Sequence, residues 1–271
     1  MTETADSGQR FGGIARLYGQ QAQARFAAAH VAVVGIGGVG SWAAEALARS
    51  GIGTLSLIDL DDICVSNTNR QVHALEGQYG RAKVQAMAER IRAINPACCV
   101  HAVEEFVSRE NLRALVTKEM DFVIDAIDVA GTKAALIYHC KREKIAVITT
   151  GAAGGQLDPT QVRVVDLNRT QNDPLAAKVR SILRRHYGWS RNSKRHYAVP
   201  CVHSLEQLRY PTVDGGVSCE KSWEDGPRRL DCESGFGACM TVTATFGLVA
   251  VSRVLEKLSV PRKPPVAAVG H

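Results

Sequence analysis

The chain has 271 residues, 45% of them hydrophobic and 22% charged, with a formal net charge of +6, the make-up of an ordinary soluble globular protein with one large core or two modest ones. The N-terminal MTETADSGQR lacks a basic-then-apolar run, which argues against a signal peptide or N-terminal anchor and for a cytoplasmic protein. Eight cysteines (64, 98, 99, 140, 201, 219, 232, 239) form no C-x-x-C pair, which argues against a disulfide framework or zinc ribbon and for reduced thiols, most of them buried as small apolar residues.

Residues 10–28 read as a loop followed by a helix carrying Arg10, Arg16 and Arg25, with no local reason for the arginines. Val31 to Gly51 then reads as a buried strand, a glycine turn and an alanine-rich helix. Gly35, Gly37 and Gly40 give the G-x-G-x-x-G spacing, and Gly38 lies inside it; such a turn admits phosphate beside the free N–H groups of a helix start. By itself the motif fits an NAD enzyme, a SAM enzyme or a nucleotide-activating enzyme. Asp59, nineteen residues past Gly40, could meet a ribose hydroxyl in several of these.

Strand 54–59 leads into LDDICVSNTNR, a polar loop that is too rich in Asp, Asn and Arg to be a mere linker and includes Asp61, Asn67 and Arg70. A helix at about 80–94 places Lys83 in its first turn, where the macrodipole disfavours a cation unless an anion binds there. A strand at 100–104, a helix near 108–118, the apolar run 121–127 and a helix and strand at 132–143 and 145–149 continue the alternation. Asp125 and Asp128 fall at a strand's C-terminal end, where open parallel sheets bind ligands.

Beyond Gly151 the glycine turns and alternating valines suit antiparallel strands. Asp173 and Pro174 read as the cap and first position of a helix reaching Tyr187. Between Lys178 and His196 there are seven basic residues (Lys178, Arg180, Arg184, Arg185, Arg191, Lys194, Arg195) and no acidic one. Subtracting those seven from +6 leaves the remainder at −1, so the basic character is local. With His186, Tyr187 and Trp189 interleaved, the stretch favours an anionic polymer over a merely solvated face. Ser234 to Ser252 carries no charge, but its threonines and glycines favour burial in a core or dimer interface over a membrane span. The expected organisation is an arm and helix (1–28), a nucleotide-binding domain (29–165), an elaboration with a C-terminal helix packed on the same core (166–258) and a disordered tail (259–271).

GIGGVGSWAAEALARSGIG, LIDLDDICVSNTNRQ, GRAKVQAMAERIRAINP and DFVIDAIDV together resemble the E1-like adenylating enzymes over about residues 10–165. RFGGIARLYG, TTGAAGGQLDPTQVRVVDL, NDPLAAKVR and LDCESGFGACMTVTATFG extend the resemblance, across nearly the whole chain, to the bacterial tRNA threonylcarbamoyladenosine dehydratases. The resemblance implies a Rossmann-like E1 adenylation fold, a mostly parallel sheet covered by helices, with an antiparallel extension and a C-terminal apolar helix. It further implies ATP-dependent cyclisation of threonylcarbamoyladenosine beside the anticodon of tRNA. The alternative is activation of the C-terminal carboxylate of a sulfur-carrier or ubiquitin-like protein, which shares the ATP site but not the basic stretch.

A carboxylate loses water to a neighbouring N–H only after it becomes a good electrophile. Attack on the α-phosphate of ATP achieves this, and its transition state needs cations and a metal round the triphosphate. Gly35, Gly37, Gly38, Gly40, Asp61, Asn67, Arg70 and Lys83 are the expected ATP-binding residues. By resemblance Asp59 holds the ribose, Asp128 ligates Mg²⁺, and an arginine of one subunit of a homodimer, Arg16 or else Arg10, enters its partner's site. The lack of C-x-x-C pairs departs from the sulfur-carrier activators and removes the expectation of zinc. Whether Cys232 is catalytic, whether a monovalent cation binds and whether a sulfur-relay partner takes part stay open.

Overall fold

The computed structural model describes residues 7–212, 214–220 and 236–261. The chain runs α1 (Ser7–Tyr18), α2 (Gln20–Ala28), β1 (His30–Val34), α3 (Gly40–Arg49), β2 (Thr54–Ile58), α4 (Lys83–Ile94), β3 (Cys99–Val103), α5 (Leu112–Leu115), β4 (Phe122–Asp125), α6 (Ala130–Glu143) and β5 (Ala146–Thr150). It continues through β6 (Val162–Asp166), α7 (Pro174–His186), β7 (Pro200–Ser204), the short pair β8 (Tyr210–Pro211) and β9 (Val217–Ser218), and α8 (Met240–Leu258). Seven strands form one sheet in the order β3-β2-β1-β4-β5-β7-β6. Neighbours are parallel except β6, which runs antiparallel to β7 at the edge.

Strands β1, β2, β4 and β5 are apolar because the sheet is covered on both faces there, whereas the edge strand β3 leaves Cys99 and His101 exposed. In β1, Val31 and Val33 join a core shared with α2, α3, α4 and α8, whereas Ala32 and Val34 join the opposite core shared with α5, α6 and α7. β7 is split the same way, Val202 to the first core and Cys201 to the second. The chain's second half therefore extends the sheet that the first half begins.

Several local expectations change. The arm is two helices, with α1 kinked at Phe11 and separated from α2 by Gly19 at φ +90°. The helix expected over 108–118 contracts to four residues. Between Gly151 and Leu167 the one strand is β6, ahead of which Pro159–Gln161 forms a 3-10 turn. The expected cap of α7 is present: Asp173 Oδ1 accepts the Ala176 N–H at 2.8 Å with Pro174 at the first position. Cys98, Cys140 and Cys201 are buried, with burial pushing Cys98 up to about 11 and Cys140 up to about 12. Cys64, Cys99 and Cys219 are exposed and Cys239 intermediate, so most of the described thiols are not buried, contrary to expectation. They lie in loops, at a strand's edge position or at a helix cap, where the pattern does not bury them.

The uncharged C-terminal stretch supplies α8, which packs on α3 through Gly247. A Cβ there would stand 2.6 Å from the Val39 carbonyl oxygen and 3.0 Å from the Ala43 nitrogen. No helix among the described residues is long and apolar enough to cross a membrane. Residues 1–6 of the arm, 234–235 of the uncharged stretch and 262–271 of the tail lie outside the described residues, as does Cys232. Because α8 and the start of α3 meet without room for a methyl group, Gly247→Val is expected to destabilise the fold by about 1–3 kcal/mol. The check is a lower denaturation midpoint with an unchanged denaturant slope; an unchanged midpoint would contradict the close approach.

Candidate nucleotide-binding site

The glycine turn bridges β1 and α3 at the carboxyl ends of the parallel strands, where ligands bind in such sheets. Gly40 is obligatory, since a Cβ there would lie 1.8 Å from the Gly35 carbonyl oxygen. Gly35 has φ +88° and lies so close to the β4–α6 bend that a Cβ would stand 2.8 Å from the Ala126 carbonyl oxygen. Gly38 faces the side chain of Arg70, whose Cγ would be 3.1 Å from a Cβ there, and Gly37 faces Gln71. No side chain among the described residues caps the start of α3; the Ser41 N–H is taken by the Gly37 carbonyl at 3.1 Å, and the helix start still presents its positive end to an anion.

Around this turn the structure brings together the loops that follow β2 and β4. Asp59 Oδ2 accepts the Ile36 N–H at 2.5 Å and its Oδ1 accepts the Asp61 N–H at 2.9 Å, so it ties the turn to the acidic loop. Burial pushes its carboxyl up, opposed by Lys83 and these two amides. A carboxylate has about four acceptor positions, which leaves room for a ribose hydroxyl. Asn67 is buried and uses Oδ1 to accept the Cys64 N–H at 3.0 Å, which shapes the loop from within. Arg70 donates to the Ser66 carbonyl at 2.9 Å and to Asn69 Oδ1 at 3.0 Å, while its own carbonyl accepts from Trp42 Nε1 at 2.9 Å.

Lys83 is the first residue of α4, and its buried Nζ donates to Asp61 Oδ2 at 2.7 Å. A cation at a helix start pairs here with an acid that is 54% exposed, a contact that a bound phosphate can replace. Asp128 lies at the carboxyl end of β4 in the bend packed on Gly35; it is exposed and makes no hydrogen bond or ion pair among the described residues. The cap of α6 is Val129 with no side-chain bond, so Asp128 is not held as a helix cap. Mg²⁺ needs only one or two carboxylates when phosphates complete its shell, and a lone unpartnered carboxylate beside the turn fits that demand. No group of three or more His, Cys, Asp or Glu able to hold a metal occurs among the described residues.

The arm's arginines separate by role. Arg10 donates to the Ile94 carbonyl at 2.9 Å and Arg25 to the Leu258 carbonyl at 3.2 Å and to Ser259, so they satisfy the carbonyl ends of α4 and α8. Ile94 is eleven residues from Lys83 along α4, which puts Arg10 roughly 16 Å from the site. Arg16 is exposed and has no partner among the described residues.

The basic stretch also divides. Arg180 donates to Leu167 and Thr170, and Arg184 donates to Tyr197 Oη at 3.0 Å and Asn168 Oδ1 at 2.7 Å. Both flank the buried Val179 and Leu183 of α7. Lys178, Arg185, Arg191, Lys194 and Arg195 are exposed. Tyr187 stacks on Tyr138 at 4.4 Å and Trp189 meets Tyr197 edge-on at 4.6 Å, so these rings serve the fold. A concavity of about 290 Å³ lies among Ser181, Arg184, Arg185 and Arg191. A larger cleft, about 580 Å³, lies at the amino ends of β4 and β5, beside Phe122 and Ala146, away from the glycine turn.

Sequence reading missed three buried polar residues. Gln71 Oε1 and both ring nitrogens of His73 have no hydrogen-bond partner among the described residues, and Lys133 forms an ion pair with Asp125 at 3.1 Å in full burial. The only sequence signal for Gln71 and His73 is that they follow Arg70; Lys133 sits inside an apolar helix face and gives none.

A glycine turn at a helix start, with the carboxylate of Asp59 and the cations of Arg70 and Lys83 from the β2–α4 connection around it, defines a nucleotide-binding α/β protein. The chain belongs to the ThiF family, which matches residues 13–268. It is 58% identical over 250 residues to the Escherichia coli K12 tRNA threonylcarbamoyladenosine dehydratase, covering 92% of this chain and 93% of that one. The solved structure of the Escherichia coli tRNA N6-threonylcarbamoyladenosine dehydratase TcdA in complex with ATP is 52% identical, with a TM-score of 0.84, and covers 95% of this chain and 97% of that one. The same enzyme in complex with AMP is 51% identical, with a TM-score of 0.82, and covers 95% and 98% of the two chains.

Burial, with Lys83 and Arg90 adding repulsion, pushes His73 down to about 4 from 6.5. The unfolded chain therefore binds the proton more readily, and stability is full above pH 6.5 and falls as pH drops through 6.5 towards 4, by at most about 3 kcal/mol. Denaturation midpoints measured from pH 7.5 to 4.5 should fall less steeply for His73→Gln than for wild type. Equal slopes would show that His73 is not held neutral.

Proposed function

We propose that this protein catalyses the ATP-dependent cyclisation of N6-threonylcarbamoyladenosine beside the anticodon of tRNA, in the cytoplasm. The observation that carries the reading is the likeness to the dehydratases along nearly the whole chain, combined with a glycine turn that gathers Asp59, Arg70, Lys83 and Asp128. The substrate carboxylate attacks the α-phosphate of ATP, forming an acyl-adenylate and releasing pyrophosphate. The carbamoyl nitrogen then attacks the activated carbonyl, loses its proton and closes the ring as AMP leaves. The oxygen lost from the carboxylate departs on AMP, so the net change in the nucleoside is loss of water.

In this reading the N–H groups of Gly37, Gly38 and Gly40 meet the phosphates, Asp59 holds the ribose, and Asp61 releases Lys83 so that the ammonium and Arg70 offset charge on the triphosphate. Asp128 would hold Mg²⁺ beside the phosphates, where the ion would offset charge developing on their oxygens. Arg16, rather than Arg10, enters the partner's site in a homodimer, since Arg10 already closes α4. Lys178, Arg185, Arg191, Lys194 and Arg195 face the tRNA backbone, and the concavity at Arg184, Arg185 and Arg191 takes one of its phosphates. Arg180 and Arg184 hold that surface in shape.

Nucleoside analysis of threonylcarbamoylated tRNA incubated with enzyme and ATP should reveal a product lighter by one water, with AMP formed in step. Arg70→Ala, Lys83→Ala and Asp128→Ala are each expected to lower this AMP formation by about 100- to 1,000-fold with the fold intact. No product from wild-type enzyme would overturn the reading, and full activity of Asp128→Ala would overturn its mechanism. Replacing Arg185, Arg191, Lys194 and Arg195 together by Gln should weaken tRNA binding at low salt and flatten the slope of log K against log salt by about 0.7–0.9 per lost phosphate contact. Unchanged tRNA affinity would remove this surface from RNA recognition.

A further inference from the structure

Lys133 stands in the first turn of α6 and is fully buried. The helix dipole disfavours a cation there, and desolvation opposes an ammonium in the core. An apolar residue would fill the space without either penalty. The ammonium is instead completely used: Nζ lies 3.1 Å from Asp125 Oδ1 and donates to the carbonyls of Asp125 at 3.2 Å and Ile127 at 2.8 Å. An ammonium has three donors, and these acceptors match them. The Asp125 carboxylate also accepts from Thr149 Oγ1 at 2.7 Å and from the Ile127 N–H at 3.2 Å.

All of these bonds converge on the bend from Asp125 to Ile127. The same bend touches the glycine turn, where the Ala126 carbonyl oxygen lies 2.8 Å from the Cβ position of Gly35. The residue that follows the bend is Asp128, exposed and held by no bond of its own among the described residues. Its placement therefore depends on the bend.

We propose that Lys133 is a positioning residue for the adenylation step: its buried ammonium fixes the 125–127 bend so that the Asp128 carboxylate faces the phosphates at the glycine turn. This rests on the assignment of Asp128 to Mg²⁺. A merely structural Lys133 would affect stability alone, whereas a positioning Lys133 affects the coupling between metal and nucleotide. Groups that orient metal ligands without touching the metal change affinity or activity by about 10- to 100-fold when removed.

The test measures ATP affinity by calorimetry with and without Mg²⁺, alongside the Mg²⁺ concentration that gives half-maximal AMP formation. Lys133→Met combined with Asp125→Asn removes both buried charges together and avoids leaving one unpaired. This variant is expected to lose most of the Mg²⁺-dependent gain in ATP affinity while keeping metal-free binding, and to need about 10- to 100-fold more Mg²⁺. Adding Asp128→Ala should produce no further loss, because residues that act through one another are not additive. Thr149→Val keeps the ion pair but removes one of its supports, so a smaller change in the same direction carries the test if the charge-free variant does not fold. A full Mg²⁺ gain in either folded variant, or losses that add to those of Asp128→Ala, would overturn the proposal. A full gain in Asp128→Ala alone would instead overturn the metal assignment, and the proposal with it.

Discussion

The structure depends on one steric constraint: the glycine turn must run against its neighbours with no side chain between them. A Cβ on Gly40 would collide with the Gly35 carbonyl, and one on Gly35 with the Ala126 carbonyl. Only because both are absent can α3 start directly beneath the turn while the bend after β4 lies beside it. The same economy of space continues behind α3, where Gly247 lets α8 approach the Val39 carbonyl. The turn is thus clamped between a helix from the chain's end and a bend from its middle, and the bend leads directly to Asp128.

Charge is arranged round that frame with little internal neutralisation at the turn itself. Among the described residues Lys83 makes its ion pair with Asp61 at the loop surface and also acts on the nearby Asp59, and Arg70 is held by a carbonyl and an amide oxygen rather than by an acid. Away from the turn the pairings are closed. Glu45 pairs with Arg49 and Arg90 to join α3 to α4, and Lys133 and Asp125 satisfy one another in the core. Cations already gathered beside the turn favour a polyanion whose charge grows during reaction. Asp173 plays a parallel part in the second half: its two oxygens cap α7 and receive the Ala152 N–H at 3.1 Å, tying the basic helix to the loop after β5.

The alternation of apolar runs and helices was legible because parallel strands buried on both faces produce continuous apolar segments. The glycine turn and the cap at Asp173 were legible because each rests on local stereochemistry. Helix ends were less so: Lys83 begins α4 three residues later than the pattern suggests, since Gly80 at φ +80° and the bridge between Asp62 and Ala82 keep the preceding residues out of the helix. The roles of Arg10 and Arg25 depend on carbonyls 84 and more than 200 residues away, which no local window contains. Arg180 and Arg184 looked the same in sequence as Arg185 and Arg191. Their difference arises from one side of α7 being buried. Lys133 is the extreme case, for a charged residue on an apolar helix face acquires its meaning only when the bend after β4 closes over it.

The central claim is that the turn at Gly35–Gly40 cradles the phosphates of a nucleotide held by the loops after β2 and β4. A crystal structure of this chain with a non-hydrolysable ATP analogue tests it most directly. The account predicts phosphate oxygens on the N–H groups at the start of α3, the ribose at Asp59, and Lys83 turned from Asp61 to the triphosphate. A nucleotide bound away from the turn, or bound there with the Lys83–Asp61 pair intact and no phosphate at Lys83, would contradict it.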